Sequence, residues 1–339
     1  MKAAVLNRIK EPVKLVEKDI PPVSGNEVLI KQELTGICFR DILTRDGFFP
    51  RVKTPIVPGH EISGVIEETG PEVKSFKVGD RVSSLIYDPC GKCEFCISGN
   101  ENLCVNKRTY GEMLDGGYAQ YIKVTERSIV KVPPNVSPEG AAISACVTGM
   151  IYHALYKVGG LRSGMNVLIT GAGGGVGAHA IQVAKAIGAS VVAETSSPWK
   201  EEKILKLGAD HVVHSGERFD KEVKKLFGDG VHVALENVGI HTFESSLRSL
   251  RTGGRMVVIG NVTPEPVNLP LGLIILKGNS IAGSISSTRD DMKKALELTS
   301  EGKIKPVVDR KVSLDRINEA YDDMVAKKVF GRVYLDLTK

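Results

Sequence analysis

No stretch of this sequence stays apolar for the roughly 20 residues a membrane-spanning helix requires, so the chain is not expected to cross a bilayer. Its basic residues do not gather into an arm: 45 Lys and Arg against 40 Asp and Glu are spread along the whole length, and nucleic-acid binding is not indicated. The start, MKAAVL, lacks the basic beginning, apolar core and small-residue cleavage site of a signal peptide, so a cytoplasmic protein is expected. There is no low-complexity tract and no convincing short repeat, which sets aside solenoids and disordered linkers. What remains is a chain of 339 residues, 42% hydrophobic and 25% charged. That is the profile of a globular protein with two domains. The slight positive excess suits an anionic small molecule, and suits a solvated surface equally well. Six cysteines in a reducing compartment read as metal ligands or buried thiols rather than disulfides.

The rhythm of the chain changes once. From residue 1 to about 145, short β-type runs such as MKAAVL, EVLIKQEL, EISGVIEETG and YAQYIKV alternate with Gly, Pro and Asp turns, an all-β pattern. From residue 146 buried strands, glycine turns and helices repeat: NVLITG, AHAIQVAKAIG, SVVAET, KEEKILKLG, DHVVHS. Such alternation predicts an α/β fold with a doubly wound parallel sheet of about six strands, the Rossmann type, over residues 146–284. The tail from 285 to 339 is read as two helices and a final strand, FGRVYLDL, that completes the first domain.

The strand NVLIT runs into Gly171-Ala172-Gly173-Gly174-Gly175-Val176-Gly177 and a helix follows at once. In that order the glycines permit a tight turn and close backbone approach, and the helix start offers free N–H groups to a pyrophosphate. Gly173, Gly174, Gly175, Val176 and Gly177 are therefore the expected cofactor-binding loop. A carboxylate about 20 residues later would hold a free ribose hydroxyl. That position is Thr195, followed by Ser196, Ser197 and Lys200, which donate to a 2′-phosphate and favour NADPH. Glu194 just before it argues the other way, and a Ser/Thr cluster also caps helices.

Cys90, Cys93, Cys96 and Cys104 place four soft thiolates within fifteen residues of one loop. Four thiolates with no open position make a closed, structural zinc site. With Gly36-Ile37-Cys38, Gly59-His60-Glu61 and Cys146-Val147-Thr148-Gly149 added, the chain resembles the zinc-containing medium-chain dehydrogenase/reductase family over nearly its whole length. The resemblance implies a GroES-like β-barrel catalytic domain beside the Rossmann domain. It also implies a second zinc held by Cys38, His60 and Cys146, with Glu61 as an alternate ligand and Asp41 orienting His60. Thr148 would lie against the nicotinamide and Arg332 would reach the pyrophosphate. A homodimer or homotetramer is expected, joined near Ser280 to Ser284.

The departures from that pattern carry chemistry. Alcohol oxidation on zinc must discharge a proton, and family members do so through a Ser or Thr two residues after the first cysteine ligand; this chain has Arg40 there. Several place a His five residues after that cysteine, where this chain has Leu43. Without either relay member, reduction of a double bond conjugated to a carbonyl fits better than alcohol chemistry. Arg40 is able to bind an anion or to form a structural salt bridge. Cys38-Phe39-Arg40-Asp41, Cys146 to Tyr152, Gly260-Asn261-Val262 and Leu273 to Lys277 look most like archaeal NADPH-dependent acryloyl-CoA reductases. That resemblance implies reduction of acryloyl-CoA to propanoyl-CoA with an acyl-CoA thioester as substrate, the alternative being a zinc-dependent alcohol dehydrogenase or aldehyde reductase.

Overall fold

The computed structural model describes residues 1–216, 218–263 and 265–338. The chain divides into two units, one of Met1–Met150, Ser286–Gly302 and Val308–Lys339, the other of Ile151–Ile285 and Lys303–Val307. No helix among the described residues is long and apolar enough to cross a membrane.

The first unit is built on an antiparallel five-stranded sheet in the order Ile129–Lys131, Arg81–Ser84, Ser63–Thr69, Glu27–Lys31, Tyr121–Thr125. Alternate residues of these strands, among them Val28, Ile30, Ile66, Val82 and Ile122, share one buried cluster, as a period of two requires. A second sheet joins distant parts of the chain: Arg332–Asp336 pairs parallel with Val308–Ser313 and antiparallel with Leu34–Gly36. Val333, Leu335 and Leu337 pack there with Ala4 and Leu6, so the two ends of the chain share a core. The helix Arg289–Ser300 starts at a capping box, Thr288 accepting from the Asp291 N–H and Asp291 accepting from the Thr288 N–H.

The second unit is a six-stranded parallel sheet, ordered His211–His214, Ser190–Thr195, Asn166–Ile169, Val231–Glu236, Leu250–Val258, Ser280–Gly283. Numbered by sequence this is 3-2-1-4-5-6, the doubly wound order whose reversal lies beside its first strand. The helix Gly175–Ile187 follows that strand and ends on Gly188 with φ +93°, a left-handed cap.

The helices of the first unit differ from the sequence reading. The first 145 residues are not purely β: a helix spans Phe39–Arg45, and another begins at Pro138. The first is seven residues long, too short to impose a 3.6-residue period. The second winds into π-helical turns at Ser144–Gly149 and His153–Val158, a geometry often found at functional sites.

Candidate metal centres and cofactor loop

One thiol cluster is made by a single loop. The ligand atoms of Cys90, Cys93, Cys96 and Cys104 lie within 4.8 Å of one another, and none of the cysteines is in a disulfide. The Cys93 and Cys96 sulfurs are 3.5 Å apart, and the Cys90 N–H points at the Cys104 sulfur from 3.4 Å. The Lys92 N–H aimed at Cys90 pulls that thiol down to about 6, and the Cys96 N–H lowers Cys93. Backbone donors turned toward these two sulfurs favour thiolates, the ligating form, while burial pushes the Cys96 thiol up. This donor set fits zinc with no position left open.

A second cluster gathers three distant segments. Cys38 caps the helix Phe39–Arg45, His60 and Glu61 follow a glycine turn, and Cys146 sits in the π-helical run; their ligand atoms also lie within 4.8 Å of one another. Cys38 and Cys146 sulfurs are 3.9 Å apart, and His60 Nε2 is 3.1 Å from the Cys146 sulfur. Within the thiol pair, the hydrogen bond from Cys146 holds Cys38 well below its ordinary value. All four side chains are buried. Two glycines make the packing possible. A side chain at Gly36 would collide with the Glu61 carboxylate, and Gly59, at φ +91°, has no room for one against the Tyr118 ring.

Asp41 orders this cluster. Its Oδ1 is 3.0 Å from His60 Nδ1, while Oδ2 accepts from the Cys38 N–H at 3.0 Å and the Tyr118 hydroxyl at 2.6 Å. Burial alone would lower His60, but the Asp41 carboxylate outweighs it and holds the imidazole well above its ordinary value. With Nδ1 turned to Asp41, Nε2 is the nitrogen that faces the thiols. Glu61 is tied to Arg332 through one oxygen, and the other, Oε2, is buried and makes no hydrogen bond. Burial pushes this carboxyl up to about 7 against the pull of Arg332. An orphaned buried carboxylate oxygen beside two thiols and an imidazole fits a zinc ion.

Tyr118, which the sequence reading passed over, is thus a positioning residue for His60. Tyr118→Phe keeps the ring and removes one donor to Asp41. Zinc affinity at the Cys38 cluster is expected to fall about tenfold, measured by chelator competition. An unchanged affinity would remove Tyr118 from the account.

Arg332 is buried, donating to the Ile37 carbonyl at 3.1 Å and paired with Glu61. Its resolved partners are therefore on the metal side. Thr148 is buried in the π-helical run with its hydroxyl 3.5 Å from the Ile143 carbonyl. Arg40 is half-buried and donates from Nε to Glu112 Oε1 at 2.6 Å, so the salt-bridge reading of this residue is realised.

In the second unit Gly173 to Gly177 lie at the start of the 13-residue helix, whose N-cap carries no side-chain bond. A Cβ on Gly173 would collide with the Lys200 side chain, and one on Gly177 with the backbone of Gly171. The loop is therefore a bare backbone cradle that fits a pyrophosphate. Glu194, the residue that argued against NADPH, is committed elsewhere: its Oε2 accepts from the Gly171 N–H at 2.9 Å and its Oε1 from the Ser215 hydroxyl. Thr195 is buried at the strand end, its Oγ1 accepting from the Ser197 N–H at 3.2 Å, and Ser196 beside it is exposed. Lys200 lies across Gly173 with Nζ 3.5 Å from its carbonyl oxygen. Glu236, another residue without a sequence signal, gathers the Val238 and Gly239 N–H groups and the Thr242 and Ser246 hydroxyls, fixing the turn after the fourth strand.

Known proteins resemble both units. A family described as zinc-binding dehydrogenase matches residues 175–301, and the alcohol dehydrogenase GroES-like domain matches residues 24–134. The acryloyl-coenzyme A reductase of Sulfurisphaera tokodaii is 47% identical over 98% of this chain and 99% of its own. An alcohol dehydrogenase of Geobacillus stearothermophilus is 40% identical over 99% of each chain. The crystal structure of AibC superposes with a TM-score of 0.93 at 37% identity, covering 99% of this chain and 95% of that one. Fold and donor sets define a zinc-binding, nicotinamide-dependent oxidoreductase acting on a small molecule. The chain belongs to the zinc-containing medium-chain dehydrogenase/reductase family.

Proposed function

We propose that this oxidoreductase uses NADPH to reduce the double bond of an enoyl thioester, with acryloyl-CoA going to propanoyl-CoA. The observation that carries the reading is the position two residues after Cys38, where a relay hydroxyl would sit. It holds a guanidinium, 2.6 Å from the Glu112 carboxylate and stacked over the Phe49 ring at 4.4 Å. A guanidinium stays charged and does not accept a proton. The hydroxyl of Thr44, nearby on the same helix, is committed to the Arg40 carbonyl at 3.0 Å. The similarity to acryloyl-coenzyme A reductase supports the substrate class.

Cys38, His60 and Cys146 would hold one zinc, Glu61 serving as alternate ligand, and Cys90, Cys93, Cys96 and Cys104 would hold another. When bound, the catalytic-type zinc supplies a Lewis-acid position for a carbonyl oxygen and the nicotinamide supplies hydride. Asp41 and Tyr118 keep His60 in its ligating tautomer. Burial of all four ligand side chains keeps water from diluting their field. Arg40 adds a fixed positive charge beside a centre where negative charge develops on the substrate oxygen.

The test is NADPH oxidation by zinc-loaded protein with acryloyl-CoA, crotonoyl-CoA, short aldehydes and ketones. Turnover of the enoyl thioesters is expected; fast turnover of aldehydes alone would sink the reading.

For the cofactor, Glu194 is engaged by Gly171 and Ser215, and Thr195, Ser196, Ser197 and Lys200 are the residues proposed to meet a 2′-phosphate. Lys200→Ala is expected to raise the KM for NADPH about tenfold and to leave that for NADH nearly constant. An equal rise for both cofactors would assign Lys200 to loop packing instead.

The short helix Leu271–Lys277 buries none of its residues, and Ile275 and Leu276 are 76% and 86% exposed. The strand Ser280–Gly283 just beyond it lies at the edge of the parallel sheet. An apolar patch beside an unpaired edge fits a second copy of this chain. Ile275→Glu should shift sedimentation equilibrium toward a smaller species; an unchanged mass would place the subunit contact elsewhere.

A further inference from the structure

Glu112 is a carboxylate with too many cations around it. It is buried to 2% side-chain exposure, yet its two oxygens are shared by two guanidiniums, Arg40 at Oε1 and Arg51 at Oε2, the latter 2.8 Å away. One negative charge against two leaves a positive excess at the surface end of the pair, where Arg51 is 47% exposed. From Gly47 to Val57 the segment that carries Arg51 contains no Asp or Glu to balance them.

The same edge presents aromatic surface. Arg40 covers the Phe49 ring, Phe48 meets Phe49 edge-on with centroids 5.1 Å apart, and Phe48 is 37% exposed. Glu112 holds the two guanidiniums in place, so little rotamer freedom remains to be lost when an anion arrives. Fixed guanidiniums beside an exposed ring are the chemistry that recognises a phosphorylated base, with charge-assisted hydrogen bonds to phosphate and a face for stacking. Arg40 stands two residues after Cys38, so this edge adjoins the metal cluster within the same unit.

We propose that Arg51, held by the Glu112 carboxylate that it shares with Arg40, forms part of the site for the phosphorylated nucleotide end of the substrate. The inference rests on the thioester reading above and adds the part of the molecule that the acyl group does not supply. Its consequence is a specificity for nucleotide-bearing thioesters over the same acyl group on a short thiol. Arg51 acts on binding of the remote end and not on the reacting carbons, so its loss appears in KM.

Arg51→Ala is the probe, since 47% of that side chain is in solvent and Arg40 still pairs the buried Glu112 when it is gone. Wild type and variant are compared with acryloyl-CoA and with acryloyl-pantetheine, which lacks the nucleotide. The ratio of kcat/KM for the two thioesters should be large in the wild type and fall about tenfold in the variant, through KM for the CoA ester. Equal use of both esters by the wild type, or a ratio that the variant leaves unchanged, overturns the proposal. A direct arm separates this inference from its parent. Adenosine 3′,5′-bisphosphate is titrated calorimetrically into protein saturated with NADPH, so that the dinucleotide site is filled. Binding that weakens in Arg51→Ala supports the nucleotide site even if neither ester is reduced. No binding overturns it even if both are.

Discussion

Cys38→Ser is expected to leave the fold intact and lower kcat/KM by about a thousandfold, the loss of roughly 4 kcal/mol of charge stabilisation at the substrate oxygen. Cys38 is the capping residue of a short helix and a member of the buried cluster with His60, Glu61 and Cys146. A serine preserves the cap, because the residue 38 N–H still donates to Asp41 and a hydroxyl oxygen takes the place of the sulfur in the capping box. What it removes is the sulfur whose thiol the Cys146 hydrogen bond holds well below its ordinary value. The measurement pairs zinc content with kinetics. Zinc should fall from about two per chain to about one, while the melting temperature shifts by only a few degrees. Retained kinetics with one zinc lost would mean that this cluster takes no part in the reaction.

Cys93→Ser should give the opposite pattern. The loop from Cys90 to Cys104 contains only a four-residue helix, Glu94–Ile97, and a short turn at Glu101–Leu103, and Ile97, Leu103 and Val105 are exposed. With so little apolar surface to bury, metal–thiolate bonds are the main term holding the lobe closed. Removing one ligand is expected to lower the melting temperature by about 10 °C or more, while turnover per folded molecule changes little. Thermal unfolding followed with zinc release checks it. Unchanged stability would show that the lobe is held by contacts other than its metal.

The two centres were not equally legible from sequence. The four-cysteine loop could be read from spacing alone, because its donors sit within fifteen residues. The Cys38 cluster could not: its members come from three segments separated by dozens of residues, and only the likeness to a known family joined them. The parallel sheet and its glycine turn followed from the strand and helix rhythm, which local chemistry enforces. The helix Phe39–Arg45 was hidden, since seven residues between β-type runs show no period of their own. Tyr118, Glu112 and Glu236 were hidden for another reason. Each is a single polar residue whose role arises from partners brought in by the fold: Asp41 for Tyr118, Arg40 and Arg51 for Glu112, a ring of N–H and hydroxyl donors for Glu236. Arg40 was flagged with two readings, and the Glu112 pair realises the salt bridge.

The central claim is that hydride reaches carbon of a conjugated double bond and not a carbonyl carbon. The most direct measurement uses NADPH carrying deuterium at the transferable position, with acryloyl-CoA as substrate and the product examined by mass spectrometry and NMR. Deuterium on the β-carbon of propanoyl-CoA is the predicted result; deuterium on the carbonyl-derived carbon, with the double bond retained, would contradict the account.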